Sequence, residues 1–345
     1  MALENIPGKE NAASGIQVEA IARLAQQRTA LVDQLSRVII GQRDVIDNVL
    51  LTIFCGGHGL VVGVPGLAKT LLIRSLGRAL DLSFSRVQFT PDLMPSDITG
   101  TEILQNDPVT GQRRLEFLRG PIFANLVLAD EINRTPPKTQ AAMLQTMQEY
   151  EVSIGSKTHP LPIPFHVFAT QNPIEMEGTY VLPEAQADRF MFSIHCGYPT
   201  NAEEEHLVRN TTGTDKAELK PVLTGKEIID IQKLVRAMPV SDEVLRYAVR
   251  LVSHTRPEDS TAPSYVKEYV RWGASPRASQ YLILGAKARA AVNGKLCADY
   301  EGVKSVARQV LRHRVLTNFN ARAQKITVNE IIEKLLAEPI PGANR

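Results

Sequence analysis

Residues 63–70 read Gly63-Val64-Pro65-Gly66-Leu67-Ala68-Lys69-Thr70, directly after the apolar run Leu60-Val61-Val62. A strand running into a glycine-bearing loop that closes on Lys-Thr has the layout of a phosphate-binding P-loop. Small residues let the backbone N–H groups turn inward around an oxyanion. The helix that follows aims its positive dipole end at the same phosphates. In such a loop Lys69 reaches the β- and γ-phosphates, and Thr70 offers its hydroxyl to Mg²⁺. One position departs from the usual pattern, which has Gly before the Lys: here it is Ala68. Ala is tolerated there if its backbone is already helical, because only φ > 0 demands Gly. The bland alternative is a Gly/Pro turn between a strand and a helix.

A P-loop needs an acidic partner for the metal, and hydrolysis needs a group that orients water. Leu126-Val127-Leu128-Ala129-Asp130-Glu131 supplies both at the end of an apolar run. Asp130 would hold Mg²⁺ largely through its water shell, since this ion dehydrates reluctantly. Glu131 would polarise the attacking water. A third run ends Phe168-Ala169-Thr170-Gln171-Asn172-Pro173. An amide at Asn172 can orient water, although Asn-Pro is also an ordinary turn signal.

Strand-like runs at Leu60–Val62, Phe84–Phe89, Leu126–Ala129 and His166–Thr170 alternate with helical stretches after Lys69 and across Pro136–Glu149. This alternation predicts a parallel sheet flanked by helices. Two hairpins interrupt it. One spans Thr101–Leu118 and turns at Asn106-Asp107-Pro108 or Thr110-Gly111; the other spans Glu151–Leu161 and turns near Gly155-Ser156. Residues 16–38 carry apolar positions at helical spacing: Ile21, Leu24, Leu31, Leu35 and Val38. From about residue 200 onward, helices alone are predicted. Thr224 with Glu227, Ser241, Ser275-Pro276 and Thr327 with Glu330 mark helix starts, and Asn293-Gly294 marks a stop.

The 345 residues suffice for two domains. A net charge of +2, with 22% charged and 43% hydrophobic residues, argues against a nucleic-acid or membrane-surface protein and against disorder. Cys55, Cys196 and Cys297 fit no disulfide or zinc pattern, so a reducing compartment is expected. The 7 histidines are scattered and suggest no metal site. Met1–Gly15 is polar and does not read as a secretory signal, which points to the cytoplasm. The most apolar stretch, Val49–Ala68, is interrupted by glycines, Pro65 and His58, and reads as a helix end plus a strand rather than a membrane span.

Together these segments resemble the AAA+ ATPases and, within them, the MoxR family. The similarity runs from Val38-Ile39-Ile40-Gly41-Gln42 to Leu311-Arg312-His313-Arg314. Its most specific segments are Gln88-Phe89-Thr90-Pro91-Asp92-Leu93-Met94-Pro95-Ser96-Asp97, Ala129-Asp130-Glu131-Ile132-Asn133-Arg134 and Pro183-Glu184-Ala185-Gln186-Ala187-Asp188-Arg189-Phe190. Ala before the Lys-Thr is usual in that family. The resemblance implies a P-loop αβα sandwich over residues 38–205, preceded by a helical segment 1–37 and followed by an all-helical lid 206–345. It implies nucleotide contacts from Ile40 and Gly41, from Gly63 through Leu71, and from Asp130 and Arg277. Asn172 would be sensor 1, and Arg277 sensor 2 from the lid. Arg189 would be an arginine finger completing a neighbouring subunit's site, although its local sequence fits an ordinary interface or surface Arg as well. The hairpins at 100–118 and 151–161 match the helix-2 insert and pre-sensor 1 hairpin, which line the pore or upper face of a ring.

The implied activity is ATP hydrolysis with Mg²⁺, in a ring that by family habit is a hexamer. ATP would sit between the two domains, against a neighbouring subunit. Relatives act as chaperone-like ATPases, often with proteins bearing von Willebrand factor A domains, on client complexes. The competing readings are a nucleic-acid translocase and a metal-chelatase motor subunit. A translocase should present basic hairpins to phosphates. Here the hairpins offer Arg113 and Arg114, then Lys157 and His159, with no aromatic residue in 155–164 to stack a base. The presence of both Asp130 and Glu131 argues against a nucleotide-bound scaffold without turnover.

Overall fold

The computed structural model describes residues 7–106, 113–155, 157–174, 178–213 and 218–339. The expected turn of the first hairpin, Ser156 in the second and the first residues of the polar N-terminal segment lie outside these. Contacts divide the described chain into two compact units. One runs from Asp33 to Ile228; the other joins the residues up to Val32 with those from Ile229 onward.

The first unit is built on a five-stranded sheet. Its strands are β1 (Gly59–Val62), β2 (Phe84–Gln88), β5 (Leu126–Asp130), β8 (His166–Gln171) and β9 (Phe192–His195). Between them come the hairpin strands β3 (Gly100–Asn106) and β4 (Arg113–Arg119), then β6 (Glu151–Ile154) and β7 (Lys157–Pro160). The sheet order is β2-β5-β8-β1-β9, and every neighbouring pair is parallel. Leu126, Val127, Leu128 and Ala129 are fully buried, as the near-continuous apolar run of a strand covered on both faces requires. The edge strand β9 was not among the predicted runs. The apolar run Phe190-Met191-Phe192-Ser193-Ile194 marks it only briefly, and the strand itself is 4 residues long.

Helices α1 (Pro7–Ser36) and α2 (Arg43–Phe54) precede the sheet; α3 (Lys69–Ala79) follows β1, α4 (Pro95–Thr99) follows β2, and α5 (Pro137–Glu149) follows β5. The short α6 (Glu184–Ala187) leads to β9, and α7 (Asn201–Thr211) follows it. The apolar stretch around residue 55 resolves into the end of α2 and then β1, and no helix among the described residues is long and apolar enough to cross a membrane.

Both hairpins form. β3 pairs antiparallel with β4 from Gly100↔Arg119 to Asn106↔Arg113, and β6 pairs with β7 from Glu151↔Pro160 to Ile154↔Lys157. They touch each other: the Phe117 ring stacks on His159 with centroids 4.1 Å apart. At the root of the first hairpin, Gly100 (φ +93°) and Gly120 cross backbone to backbone. A Cβ on Gly100 would lie 2.2 Å from the Leu118 carbonyl oxygen, and one on Gly120 would lie 2.3 Å from that of Ile98. No side chain fits either place without moving main chain.

The remaining helices are α8 (Gly225–Ala237), α9 (Asp242–Ser253), α10 (Ser264–Tyr269), α11 (Pro276–Val292), α12 (Tyr300–Leu311), α13 (Phe319–Ala323) and α14 (Val328–Ala337). Three of the predicted caps form side-chain bonds: Glu227 Oε2 accepts from Thr224 N–H at 3.0 Å, Val244 N–H donates to Ser241 Oγ at 3.3 Å, and Glu330 Oε2 accepts from Thr327 N–H at 2.7 Å; Ser275 stands at the N-cap of α11 without a side-chain capping bond. This region is not purely helical, however. β10 (Val270–Trp272) pairs antiparallel with β11 (Leu316–Thr317), a ladder too short to give a periodic signal. The division between the two units by contacts falls inside α8. Val222 N–H donates to Ala79 O at 2.8 Å, so the segment leading into α8 is tied to the end of α3. By the same division, the N-terminal helix up to Val32 groups with the residues from Ile229 onward.

Candidate functional site

A cavity of about 410 Å³ opens at the carboxyl ends of β1, β5 and β8. Its lining joins Pro65, Gly66, Leu67, Ala68, Lys69, Thr70 and Leu71 to Asp130, Glu131, Thr170 and Asn172. Parallel strands place ligand sites at this end of a sheet. Here the order sets β1 beside β8 and β8 beside β5, so three loops distant in sequence converge.

The loop wraps back on its own lysine. Lys69 Nζ donates to the carbonyls of Gly63 at 2.5 Å and Val64 at 2.8 Å. Burial lowers the Lys69 pKa, while Cys196, Asp130 and Glu131 pull it up. Gly63 passes so close to Cys196 that a Cβ would stand 2.9 Å from that residue's Cβ. Burial in turn pushes the Cys196 thiol up to about 11. Ala68 lies at φ 54°, ψ 20°, in the left-handed region. The condition under which Ala replaces Gly easily, an already helical backbone, is therefore not met. Ala68 sits in the conformation that favours Gly, and α3 starts from it.

Gln42 and Gly41 are also left-handed, at φ 56° and 70°. Gln42 Nε2 reaches Leu67 O at 3.5 Å, which ties the turn carrying Ile40 and Gly41 to the P-loop. Ile40 and Gly41 themselves do not line the cavity.

The acidic pair is held by a dense polar network. Asp130 is 7% exposed. Its Oδ1 accepts from Thr170 Oγ1 at 2.6 Å. Its Oδ2 accepts from Thr70 Oγ1 at 3.3 Å and from Arg86 Nε at 2.9 Å, with Arg86 Nη2 at 2.7 Å. Glu131 follows at φ 58°, another non-Gly residue in the left-handed region. Its N–H donates to Thr170 Oγ1 at 2.8 Å, and its Oε2 accepts from Gln88 Nε2 at 3.0 Å and pairs with Arg134 Nε at 3.1 Å. Gln88 Oε1 also accepts from Arg86 Nη2 at 2.5 Å, so Arg86 and Gln88 link the two carboxylates. Asn172 Oδ1 accepts from Ile174 N–H at 3.1 Å, an Asx turn at the cavity wall.

Thr170, Arg86, Gln88 and Arg134 were given no role by sequence reasoning. For Thr170, Arg86 and Gln88 the signal lies in strand register, with Gln88 opposite Asp130 and Ala129 opposite Ala169, which no local motif reveals; Arg134 is instead a local partner, three residues after Glu131. Arg189 follows α6, is half-buried and does not line the cavity. Arg277 is the second residue of α11, in the helical unit.

The donor set suits Mg²⁺. Thr70 Oγ1 and Asp130 Oδ2 are hard oxygen donors in hydrogen-bond contact beside the loop, and Mg²⁺ in nucleotide sites takes one or two carboxylates plus phosphates and water.

A five-stranded parallel sheet with a P-loop and an acidic strand end defines a P-loop nucleotide-binding protein. Residues 58–192 match the ATPase family associated with various cellular activities (AAA), and residues 263–335 match the AAA lid domain. Chaperone MoxR1 of Mycobacterium tuberculosis is 41% identical over 88% of this chain and 79% of its own length. The uncharacterised protein YeaC of Bacillus subtilis is 37% identical over 89% and 92%. A solved Cytophaga hutchinsonii structure, described as a candidate ATPase, superposes with a TM-score of 0.87 at 38% identity, covering 96% of this chain and 98% of that one. The chain belongs to the MoxR family of AAA+ ATPases.

Proposed function

We propose that this chain hydrolyses ATP and uses the cycle to remodel or mature client protein complexes. The observation that carries the reading is the convergence of Lys69, Thr70, Asp130, Glu131 and Asn172 on one cavity. The backbone amides of 63–70 and Lys69 bind the phosphates. Thr70 and Asp130 would hold Mg²⁺, which would neutralise charge that develops on the phosphates. Glu131 takes up a proton from the attacking water as its general base, and Asn172 orients that water. Arg189 acts on the γ-phosphate of a neighbouring copy, and Arg277 reports nucleotide state to the helical unit. Such a role for Arg189 requires a homo-oligomeric ring, for which a hexamer is the proposed form.

The name of the M. tuberculosis relative supports a chaperone role. Proteins with von Willebrand factor A domains are the proposed partners. A protein client is favoured over nucleic acid because the net charge is only +2 and residues 155–164 hold no aromatic side chain to stack a base.

Two variants test the reading together. Lys69→Ala should lose nucleotide affinity. Glu131→Gln should keep ATP bound and lose turnover by about 10²–10⁴-fold, the usual span of general-base removal. Fluorescent-nucleotide binding and phosphate release are measured side by side. Wild-type turnover in Glu131→Gln would reject the assignment of Glu131. Proteins retained on the ATP-loaded Glu131→Gln chain identify the client; salt-sensitive DNA binding that stimulates ATPase would favour the translocase instead.

A further inference from the structure

We infer that Thr170 is a positioning residue that sets the geometry of the Asp130–Glu131 pair. The inference rests on the reading of that pair as the metal-holding and water-activating carboxylates. Thr170 is 1% exposed and lies at the end of β8. The register pairs Ala129 with Ala169, so Thr170 and Asp130 are neighbours across two parallel strands. A hydroxyl has one proton to donate and lone pairs to accept with. Thr170 uses both functions on the adjacent acids. Its proton goes to Asp130 Oδ1 at 2.6 Å, and its oxygen receives Glu131 N–H at 2.8 Å.

Each bond does something distinct. Holding Oδ1 leaves Oδ2 as the oxygen turned toward Thr70 and Arg86. Receiving the Glu131 amide pins a residue whose φ of 58° an L side chain adopts reluctantly. In a regular strand, Asp130 and Glu131 would project to opposite faces. The left-handed turn at Glu131 breaks that alternation, and both side chains line the same cavity. The Arg134 N–H, which donates to Glu131 O at 2.9 Å, closes the turn from the other side. Thr170 touches neither phosphate nor water in this scheme; it acts through its two neighbours.

The test compares Thr170→Val, which keeps the shape and removes both bonds, with Thr170→Ser, which keeps the hydroxyl. Three quantities are read on the full chain: ATP affinity without metal, the Mg²⁺ concentration at half-maximal effect on nucleotide binding, and kcat with KM. Loss of a partner that orients a metal ligand typically weakens metal affinity or activity about 10–100-fold. Thr170→Val should raise the Mg²⁺ midpoint and lower kcat on that scale, with metal-free ATP affinity unchanged and a wild-type melting profile. Thr170→Ser should recover most of both. If Thr170→Val does not fold, Thr170→Ala is measured in the same way. A folded variant without the hydroxyl that keeps the wild-type midpoint and kcat overturns the inference. So does one that loses metal-free ATP affinity in equal measure, because Thr170 would then only support the cavity wall. If wild type turns over no ATP yet the Mg²⁺ midpoint still shifts in Thr170→Val, the hydrolysis reading fails while the positioning of Asp130 stands.

Discussion

Arg86 forks onto a single oxygen of Asp130, with Nε at 2.9 Å and Nη2 at 2.7 Å from Oδ2. This is the oxygen that faces Thr70, the other proposed metal donor. A guanidinium and a divalent cation compete for the same lone pairs. The Arg86 side chain is 48% exposed, so solvent screening keeps the pair's contribution to folding small.

Arg86→Gln should therefore leave the melting temperature nearly unchanged and lower the Mg²⁺ midpoint for nucleotide binding. A factor of about five is expected, the equivalent of the ~1 kcal/mol at the upper end for exposed ion pairs. Magnesium titrations with a slowly hydrolysed ATP analogue check this. A midpoint that rises would mean that Arg86 orients Asp130 more than it competes for it.

Ala68 is strained where Gly would not be, since its φ is 54°. The left-handed region is unfavourable for an L-residue by about 1–2 kcal/mol, and Gly recovers about 0.4–1 kcal/mol of extra freedom in the unfolded chain. The difference predicts that Ala68→Gly stabilises the α/β unit by about 0.5–1 kcal/mol. Urea unfolding with and without nucleotide measures it, and lower stability in the Gly variant would refute the prediction.

Beneath the second hairpin, two histidines are held neutral. His58 Nδ1 accepts from Val167 N–H at 3.0 Å, and its Nε2 meets Met147 O at 3.1 Å. His166 Nδ1 meets Gly57 O at 2.9 Å. Burial first, then repulsion from His166, lowers the His58 pKa to about 3; burial lowers that of His166 to about 4. Both folded values lie below the unfolded 6.5, so the unfolded chain binds more protons as pH falls. The stabilisation is complete above pH 6.5 and drains away below it, down to about pH 4 for His166 and about pH 3 for His58. The combined slope approaches ~2.7 kcal/mol per pH unit, from ~1.36 for each proton. Unfolding free energies at pH 7.5, 6 and 5 should show this loss. His166→Gln should flatten the slope toward half, and an unchanged slope would count against a buried neutral His166.

Arg189 is proposed to act in trans, and mixing tests it. Arg189→Ala should bind ATP nearly normally and hydrolyse it poorly, on the scale of the ~10³–10⁵ that an arginine finger contributes elsewhere. Lys69→Ala should be inactive for a different reason. Mixed assemblies contain interfaces where an intact P-loop faces an intact Arg189, so activity should partly return and should depend on protein concentration. Labelled subunits that exchange without any recovery would make Arg189 a structural residue.

The P-loop and the Asp-Glu strand end were legible because each is contiguous in the chain and carries its chemistry in its own spacing. The helix caps were legible for the same reason. What stayed hidden depends on contacts between strands. Nothing near Arg86 or Thr170 in sequence announces that both will bond to Asp130; that follows from the order β2-β5-β8 and its register. The backbone at Ala68 was hidden for another reason. A left-handed φ at a non-Gly residue runs against local preference, and the surrounding loop imposes it. The boundary within α8 was equally unreadable, because the bond from Val222 to Ala79 links segments far apart in the chain.

The crossing of Gly100 and Gly120 at the root of the first hairpin divides that region by how freely it can diverge. At the crossing, one added methyl group must displace main chain, so the root admits almost no variation. Beyond it the strands carry exposed leucines, Leu104 and Leu115, opposite each other in the ladder. Substitutions at these two exposed positions should be tolerated where one at either glycine is not. Freedom to change in this hairpin is thus confined to what lies beyond the clasp.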